Sequence, residues 1–503
     1  MNLILKNKLD VSNQNLEAVS RIKYDVVIIG SGAGGGTLAY ALATKGMRVL
    51  LVERGISIPK ENDNWTEKGA LGQKYRTRKN PINHFYVGGA TKLYGAALYR
   101  LRAQDFLSTS HSNGESPQWP ISYEELEPYY CKAEQLYKVH GALDEDPTEP
   151  FHSMPYPYSP ISHEPFIQSI VDKLKQNGHK VSSIPRGIDI GPKRTCIFCS
   201  TCDGYACKVH GKMDTEVAAI LPALQTGNLD LVSEAECLRL TTNLSGTKII
   251  EADIRQRSQM LKVTGHTFVV SGGVKGSPQL LFKSKCSTHP NGLANSSGLV
   301  GRYLSGHNAQ LLFCLNGLTK IPKLHQKTFA LNEFYHGSAT FPSALGAIQA
   351  AGQIPVWMGF NRLLQPLIRM LASRSLLVFF MNEVFPSYEN RIFLDENGNL
   401  KTSFTPNNLE SFYELRKIAI NLFKNAGFPI VLCRKQPLLW HPVGTCRFGS
   451  DPQNSVLDQW CRTHDIDNLY VVDGSFLPSA GAVNTALTVM AQALRVGEHL
   501  LSK

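Results

Sequence analysis

With 503 residues and a hydrophobic share of 43%, the chain is long enough for two or three domains with substantial cores. Its net charge of +11 comes from 52 Lys and Arg against 41 Asp and Glu, scattered without a dense basic block or a stacked aromatic repeat, which argues against nucleic-acid binding. The positive excess suits an anionic substrate, a phosphate-bearing cofactor or a membrane surface.

The opening residues MNLILKNKLD place lysines after only a few apolar positions, so no secretory leader is expected and the location read is cytoplasmic. The run Val26-Val27-Ile28-Ile29 predicts a strand that enters the turn Gly30-Ser31-Gly32-Ala33-Gly34-Gly35. In such a turn Gly30 permits the tight bend, Gly32 lets backbone reach a pyrophosphate, and Gly35 lets the next helix pack on the strand. A helix over 37–45, ended by Gly46, leads to a second strand over 49–52 and then to Glu53, 23 residues after Gly30. A carboxylate there is placed to accept hydrogen bonds from a ribose 2′-OH, while the helix N-terminus faces the phosphate. This βαβ start predicts a dinucleotide site and leaves FAD and NAD undistinguished.

Further along come a proline-rich linker (147–165), a cysteine-dense loop, and the run Phe268-Val269-Val270 leading through Gly272-Gly273 into SPQLL, a second strand that enters a helix. The sheet is therefore assembled from separated segments. Asn397-Gly398 suits a hairpin turn between antiparallel strands. The most apolar stretch, 356–381, is interrupted by Arg362, Arg369 and Arg374 and is no transmembrane span. Within it Leu363, Leu364, Leu367, Ile368 and Leu371 recur at helical spacing, read as a core or pocket-lining helix ahead of a surface that docks on lipid or a partner. Near the C-terminus, Leu469 to Val472 predicts a strand ending at Asp473-Gly474, and Leu487, Met490, Ala491 and Leu494 predict a helix that begins at Asn484.

Four stretches resemble the glucose-methanol-choline (GMC) flavin oxidoreductases: VVIIGSGAGGG with Glu53, the second glycine segment GGATKLYGA (88–96), VVSGGVKGSPQLL, and HPVGTCRFG with NLYVVDGSFLPSAGAVNTALTVMAQALRVGEHL. Nearly the whole chain is covered. The resemblance implies FAD rather than NAD, and an α/β fold with a Rossmann-like FAD-binding domain assembled from residues 20–110, 225–310 and 435–503. It also implies a substrate domain with an antiparallel sheet and helices, from 111–224 and 311–434, which carries the cysteine-rich loop 196–207. The reaction implied is oxidation of an alcohol carbon, with oxygen, a quinone or a cytochrome as acceptor. The cofactor contacts implied are Gly30, Ser31, Gly32, Ala33, Gly34, Gly35 and Glu53; Gly88, Gly89, Thr91, Gly95 and Ala96; Cys237 and Gly272; and Asp473, Gly474, Asn484 and Thr485.

The chemistry of the C-terminal site agrees with that implication. An alcohol that passes a hydride to a flavin must lose its hydroxyl proton as the C–H bond breaks, and a neutral imidazole is suited to accept it. His441 is similar to the family's base, and Asn484, 43 residues on, to the group that orients the hydroxyl. The helix that follows would direct its positive end at the flavin N1/O2 edge.

Three departures stand out. Residues 90–93 contain no histidine for a covalent flavin link and His84 lies too early, so non-covalent FAD is expected. Asn484-Thr485 replaces the commoner Asn-Pro, giving up proline's preset φ at a helix start. Cys196, Cys199, Cys202 and Cys207 have a C-x2-C-x2-C-x4-C spacing close to an iron–sulfur pattern, though the last gap and the absent proline differ. The favoured reading is packed thiols or a disulfide, with no metal assigned; a cluster or structural zinc is the alternative. The segments YGAALYRLRAQDF and WPISYEELEPYY resemble GMC enzymes acting on sugars, polyols and aminoglycoside-like hydroxyls. The aromatic and aliphatic content of 329–380 would equally suit a lipid or terpenoid alcohol. A flavin-dependent lyase or decarboxylase, and an electron-transfer protein built on the cysteine loop, are the readings from other classes.

Overall fold

The computed structural model describes residues 16–58, 85–111, 114–190, 195–199, 202–207, 209–317, 320–321, 325–353 and 362–503, so His84 lies outside the described residues. The first sheet begins with β1 (Lys23–Ile29), α1 (Ala33–Ala43) and β2 (Val49–Val52), then takes in β3 (Leu229–Val232), β4 (Ala235–Thr242), β5 (Ile249–Gln256) and β6 (Gln259–Val270). β1 and β2 are buried on nearly every residue, as strands covered on both faces require. The parallel order is β3-β2-β1-β6. β6 is long enough to serve two pairings: its first half joins β5 and β4 in an antiparallel meander, and its second half runs beside β1. The predicted strand-to-helix passage at 268–281 is present, with β6 leading into α2 (Gly273–Lys283).

The second sheet is antiparallel. It contains β7 (Ser305–Leu315), β8 (Phe329–Leu331), β9 (Ala347–Ala350), β10 (Ser375–Val384), β11 (Ile430–Leu432) and β12 (Leu438–Val443), with the short strand Ser182–Ser183 at one edge. Successive side chains on a strand point to opposite faces. Leu312, Cys314, Leu376, Val378 and Phe380 accordingly pack against the helices Pro165–Gln176 and Leu409–Asn425, while Ala309, Phe313, Leu377, Phe379 and Met381 form a separate cluster on the other face. The predicted turn at Asn397-Gly398 closes a hairpin between Arg391–Leu394 and Leu400–Ser403, with Gly398 at φ +73°.

The apolar stretch 356–381 departs from its expected core helix. Only Gln365–Ala372 is α-helical within the described part, and Leu363 (86%), Leu364 (50%) and Leu367 (49%) are exposed. Residues from Ser375 onward are taken by β10, whose ladder with β7 spans ten residue pairs, so the short helix is left to bury one edge through Leu371 and Ala372. No helix among the described residues is long and apolar enough to cross a membrane.

The chain then returns to the first sheet. β13 (Leu469–Val471) adds to β6 in parallel, and α3 (Ala486–Leu501) packs on α1, where Gly497 faces the Cβ of Ala41. The helix Tyr123–Leu136 packs on the same C-terminal helix and bonds to it through Tyr130 and Thr488, 2.8 Å apart. Its inward Glu127 and Glu134 hold the fully buried Arg100 at 2.9 and 2.7 Å. α1 begins at Ala33, four residues before the predicted start, and α3 begins at Ala486 with Thr485 as its N-cap, so Asn484 precedes the helix.

Glycine is required where α1 crosses the end of β13. A Cβ on Gly34 would lie 1.9 Å from the Val472 carbonyl oxygen, whereas one on Gly276, in α2, meets nothing within 4 Å. Gly34→Ala is expected to lower stability by about 1–3 kcal/mol through overpacking, and Gly276→Ala to raise it by about 0.5–1 kcal/mol. Thermal melts followed by circular dichroism check both signs.

Candidate active site

The first glycine turn leaves an open cradle. Gly30 takes φ +104° and lies so close to the Ser271 carbonyl that a Cβ would sit 2.2 Å from its oxygen. Gly32 is the N-cap of α1, has no side-chain cap, and a Cβ built there would meet nothing within 4 Å. Free N–H groups at a helix start beside open space fit a pyrophosphate. Glu53 is buried and turned inward: its Oε2 accepts from the Ser31 N–H and Oγ at 3.0 and 2.6 Å, and its Oε1 from the Gly55 N–H at 2.7 Å. Burial pushes its carboxyl up, and these donors pull it down. Lone pairs beyond those three bonds are what a ribose hydroxyl would use.

The second glycine segment closes on the first. Gly88 donates to Ser31 Oγ at 3.0 Å, and a Cβ on Gly89 would fall 2.8 Å from Gly32 Cα. Thr91 ties this turn to Thr215 through its hydroxyl, and Ala96 takes a left-handed φ of +53°. Asp473 gathers the other strand ends: it accepts from Gly273 N–H (2.8 Å), Ser277 Oγ (2.5 Å) and Ser475 N–H (2.7 Å). Gly272 and Gly474 flank this carboxylate on their respective turns, and Gly34 lies against Val472 and Asp473. Cys237 stands two residues beyond Ala235, whose N–H donates to the Glu53 carbonyl. The two glycine segments meet at Gly32 and the Asp473 turn lies against Gly34, and the open N-terminus at Gly32 with the Glu53 carboxylate beside Ser31 fits a diphosphate and a ribose.

His441 and Asn484 also meet. Asn484 Nδ2 lies 3.4 Å from His441 Nε2, and Asn484 Oδ1 accepts from Gln349 Nε2 at 3.0 Å. His441 is presented by an irregular ladder. Ser305 pairs with Val443 and His307 with Trp440, so β12 carries one extra residue across that interval. Such a bulge re-aims a side chain, and His441 takes φ +46° there, a conformation costing a non-glycine residue about 1–3 kcal/mol. Phe379 and Trp440 edge its ring, and His307 Nδ1 stands 3.0 Å from its Nδ1.

Burial first and the Lys327 ammonium second, with Asp203 opposing them, bring His441 down to about 4. Lys327 and Asp203 are themselves paired at 2.8 Å, and Asp203 also accepts from the Gly352 N–H at 3.0 Å. The pair presses on the second glycine segment: a Cβ on Gly95 would lie 1.9 Å from Asp203 Oδ1 and 2.8 Å from Lys327 Nζ. Asp203, Lys327, Gln349 and His307 belong to no motif and were not named from sequence. The period-two face shared by His307 and Gln349 was the available signal, and it required knowing which face the first sheet covers.

The cysteine loop holds no disulfide; all eleven cysteines lie among the described residues and none is bridged. Cys207 Sγ accepts from the Gly211 and Lys212 N–H groups at 3.3 and 3.4 Å. The buried Lys212 ammonium binds four backbone carbonyls, those of Lys92, Tyr94, Cys202 and Tyr205. Among the described residues no group of three or more metal-ligating side chains is placed to hold a metal ion.

Residues 67–309 and 431–493 match the models of the GMC oxidoreductases, and residues 25–58 match an FAD binding domain. The chain belongs to the GMC oxidoreductase family. It is 26% identical over an alignment of 543 residues to a 2-methyl-1,2-propanediol dehydrogenase of Mycolicibacterium austroafricanum, covering 95% of each chain. It is 28% identical over 524 residues to a 6'''-hydroxyparomomycin C oxidase of Streptomyces lividus, covering 95% of this chain and 91% of that one. The fold is shared with the crystal structure of a pyridoxine 4-oxidase from "Mesorbium loti", at TM-score 0.65 and 18% identity over 96% of this chain and all (100%) of that one. This GMC oxidoreductase is accordingly an FAD-dependent enzyme acting on CH–OH donors.

An imidazole that protonates near 4, as His441 does, would serve as a base through the range where a free imidazole, near 6.5, is lost. Protonation occurs as pH falls, so competence is present above the folded value and lost below it. The rate of flavin reduction by an alcohol is therefore expected to stay level from pH 7.5 to about 5. Anaerobic stopped-flow across that range tests it, and an acid limb centred near 6.5 would contradict the assignment.

Proposed function

We propose that this enzyme oxidises a CH–OH group of a polyhydroxylated alcohol, sugar- or polyol-like, with His441 accepting the hydroxyl proton. The observation that carries the reading is the meeting of His441 Nε2 and Asn484 Nδ2, 3.4 Å apart on elements from different parts of the chain. FAD, when bound, supplies the hydride acceptor. The carboxamide of Asn484, held by Gln349, orients the substrate oxygen, and neutral His441 takes its proton as alkoxide character develops. The first and second glycine segments, Glu53, Cys237, Gly272, and the turn from Asp473 to Gly474 would hold the cofactor non-covalently. The start of α3 at Thr485 would place its positive end toward the flavin.

A polyhydroxylated substrate is favoured because charged groups stand close to the base. Asp203 and Lys327 both act on His441 electrostatically, and a paired carboxylate and ammonium suit hydroxyl or amino substituents better than a hydrocarbon. The diol dehydrogenase and the aminoglycoside oxidase named above support the same choice. The aromatic edge of Phe379 and Trp440 favours the second reading, an apolar alcohol.

A panel of sugars, polyols, and aliphatic and aromatic alcohols, added without oxygen, decides between them by bleaching of the flavin band. Polyols are expected to bleach it, and Asp203→Ala to raise KM for polyols more than for simple alcohols. His441→Ala is expected to keep the flavin and slow bleaching by about 100-fold or more. Bleaching by apolar alcohols alone would move the assignment to the second reading. A flavin that stays oxidised with every alcohol would overturn both and leave a lyase or decarboxylase.

A further inference from the structure

His307 is fully buried on β7, and nothing in the reaction as derived uses it. Its Nε2 lies 3.1 Å from the Gly481 carbonyl oxygen, and its Nδ1 lies 3.0 Å from His441 Nδ1. A carbonyl oxygen only accepts, so His307 Nε2 carries the hydrogen. A neutral imidazole has one N–H, which leaves His307 Nδ1 with a lone pair that must accept. Burial first, and the neighbouring His441 second, hold His307 down to about 3, so it is neutral at working pH. His441 Nδ1 is then the donor of the 3.0 Å contact. The nitrogen of His441 left with a lone pair is Nε2, the atom that faces Asn484. The opposite assignment sets two lone pairs against each other at Gly481.

We propose that His307 is a positioning residue: it reads the Gly481 carbonyl and, through one hydrogen bond, fixes the tautomer of His441 that aims a lone pair from Nε2 at the substrate hydroxyl. The inference rests on the reading of His441 as base. The backbone is shaped for the contact. Gly306 takes φ +150°, and a Cβ there would fall 2.7 and 2.8 Å from the carbonyl oxygens of Trp440 and His441, so glycine lets β7 approach the bulge. The two rings then meet edge to face, with centroids 5.1 Å apart at 80°. Donors run in one sense along the chain of contacts, from Gln349 to Asn484 and from Asn484 to His441 Nε2, then from His441 Nδ1 to His307 and from His307 to Gly481.

The test uses the holoenzyme with 15N-labelled histidine and long-range 1H–15N correlation, with His441→Ala assigning the signal. His441 is expected as the Nδ1–H tautomer in the wild type, with Nε2–H rising in His307→Leu, which cannot accept. An Nε2–H signal in the wild type, or no change in His307→Leu, overturns the proposal. Kinetically, His307→Leu is expected to slow anaerobic flavin reduction by about 100-fold with KM within about threefold. His307→Gln, whose amide can accept from His441 and donate to Gly481, is expected to recover the rate to within about tenfold of wild type. Wild-type reduction by a flavin-loaded His307→Leu overturns it as well. Should His307→Leu fail to hold flavin, the wild-type tautomer decides alone. Should no alcohol bleach the flavin, the reading of His441 as base fails while the tautomer measurement still passes or rejects the His307 contact.

Discussion

The approach of Gly34 to the carbonyl of Val472 leaves no room for a single additional carbon, and the site depends on that closeness. It brings the start of α1 against the end of β13, two segments more than four hundred residues apart. Around it the ladder runs without a gap: Gly30 donates to Val52, Ser271 to Ile29, and Val472 to Val270. Asp473 then fastens the turn to Gly273, Ser277 and Ser475. A parallel sheet places the ends of its strands on one edge, and turns leaving that edge are where a dinucleotide is held. Because β13 joins that edge, the chain that follows it returns from Asp473 to Asn484, which meets His441 and Gln349.

The second sheet positions His441 through irregularity. Regular alternation would give β12 one residue per residue of β7, and the extra residue at the bulge is what frees His441 to turn inward. Apolar enclosure by Phe379 and Trp440 keeps its imidazole neutral, and a neutral ring is the form that accepts a proton. The ion pair of Asp203 with Lys327 lies near enough to bias the same ring in opposite senses, so it adds polarity with little net charge. Burial, strain and polar contacts therefore act together on one nitrogen.

Buried charge elsewhere follows the same logic. Arg100 has no exposed side-chain surface and is met by Glu127 and Glu134 on one face of Tyr123–Leu136. That helix packs on α3 through apolar contact and the Tyr130–Thr488 bond, while its two carboxylates satisfy the guanidinium. The resemblance assigned 111–224 to the substrate domain, and only the tertiary structure shows Tyr123, Leu126, Tyr130 and Ala133 within the first core.

Much of the dinucleotide half was legible, because glycine turns and strands buried on both faces are local patterns with local causes. The run 26–29, the turn at 30–35 and the strand at 268–270 each announce themselves within a few residues. The apolar stretch 356–381 misled in part: its helical spacing does give the helix Gln365–Ala372, but that helix leaves Leu363, Leu364 and Leu367 exposed, and the residues from Ser375 on are drawn into the ten-pair ladder of β10 with β7.

By itself, the order of residues determined that a glycine-bent βαβ unit would form, and its resemblance to one family pointed to His441 and Asn484 as the groups to watch. Only the tertiary structure decided what surrounds them. His307, Gln349, Asp203 and Lys327 become neighbours of His441 and Asn484 through strand pairing and loop packing over long separations in the chain. Such contacts depend on which face of a sheet is covered, and no local pattern records that.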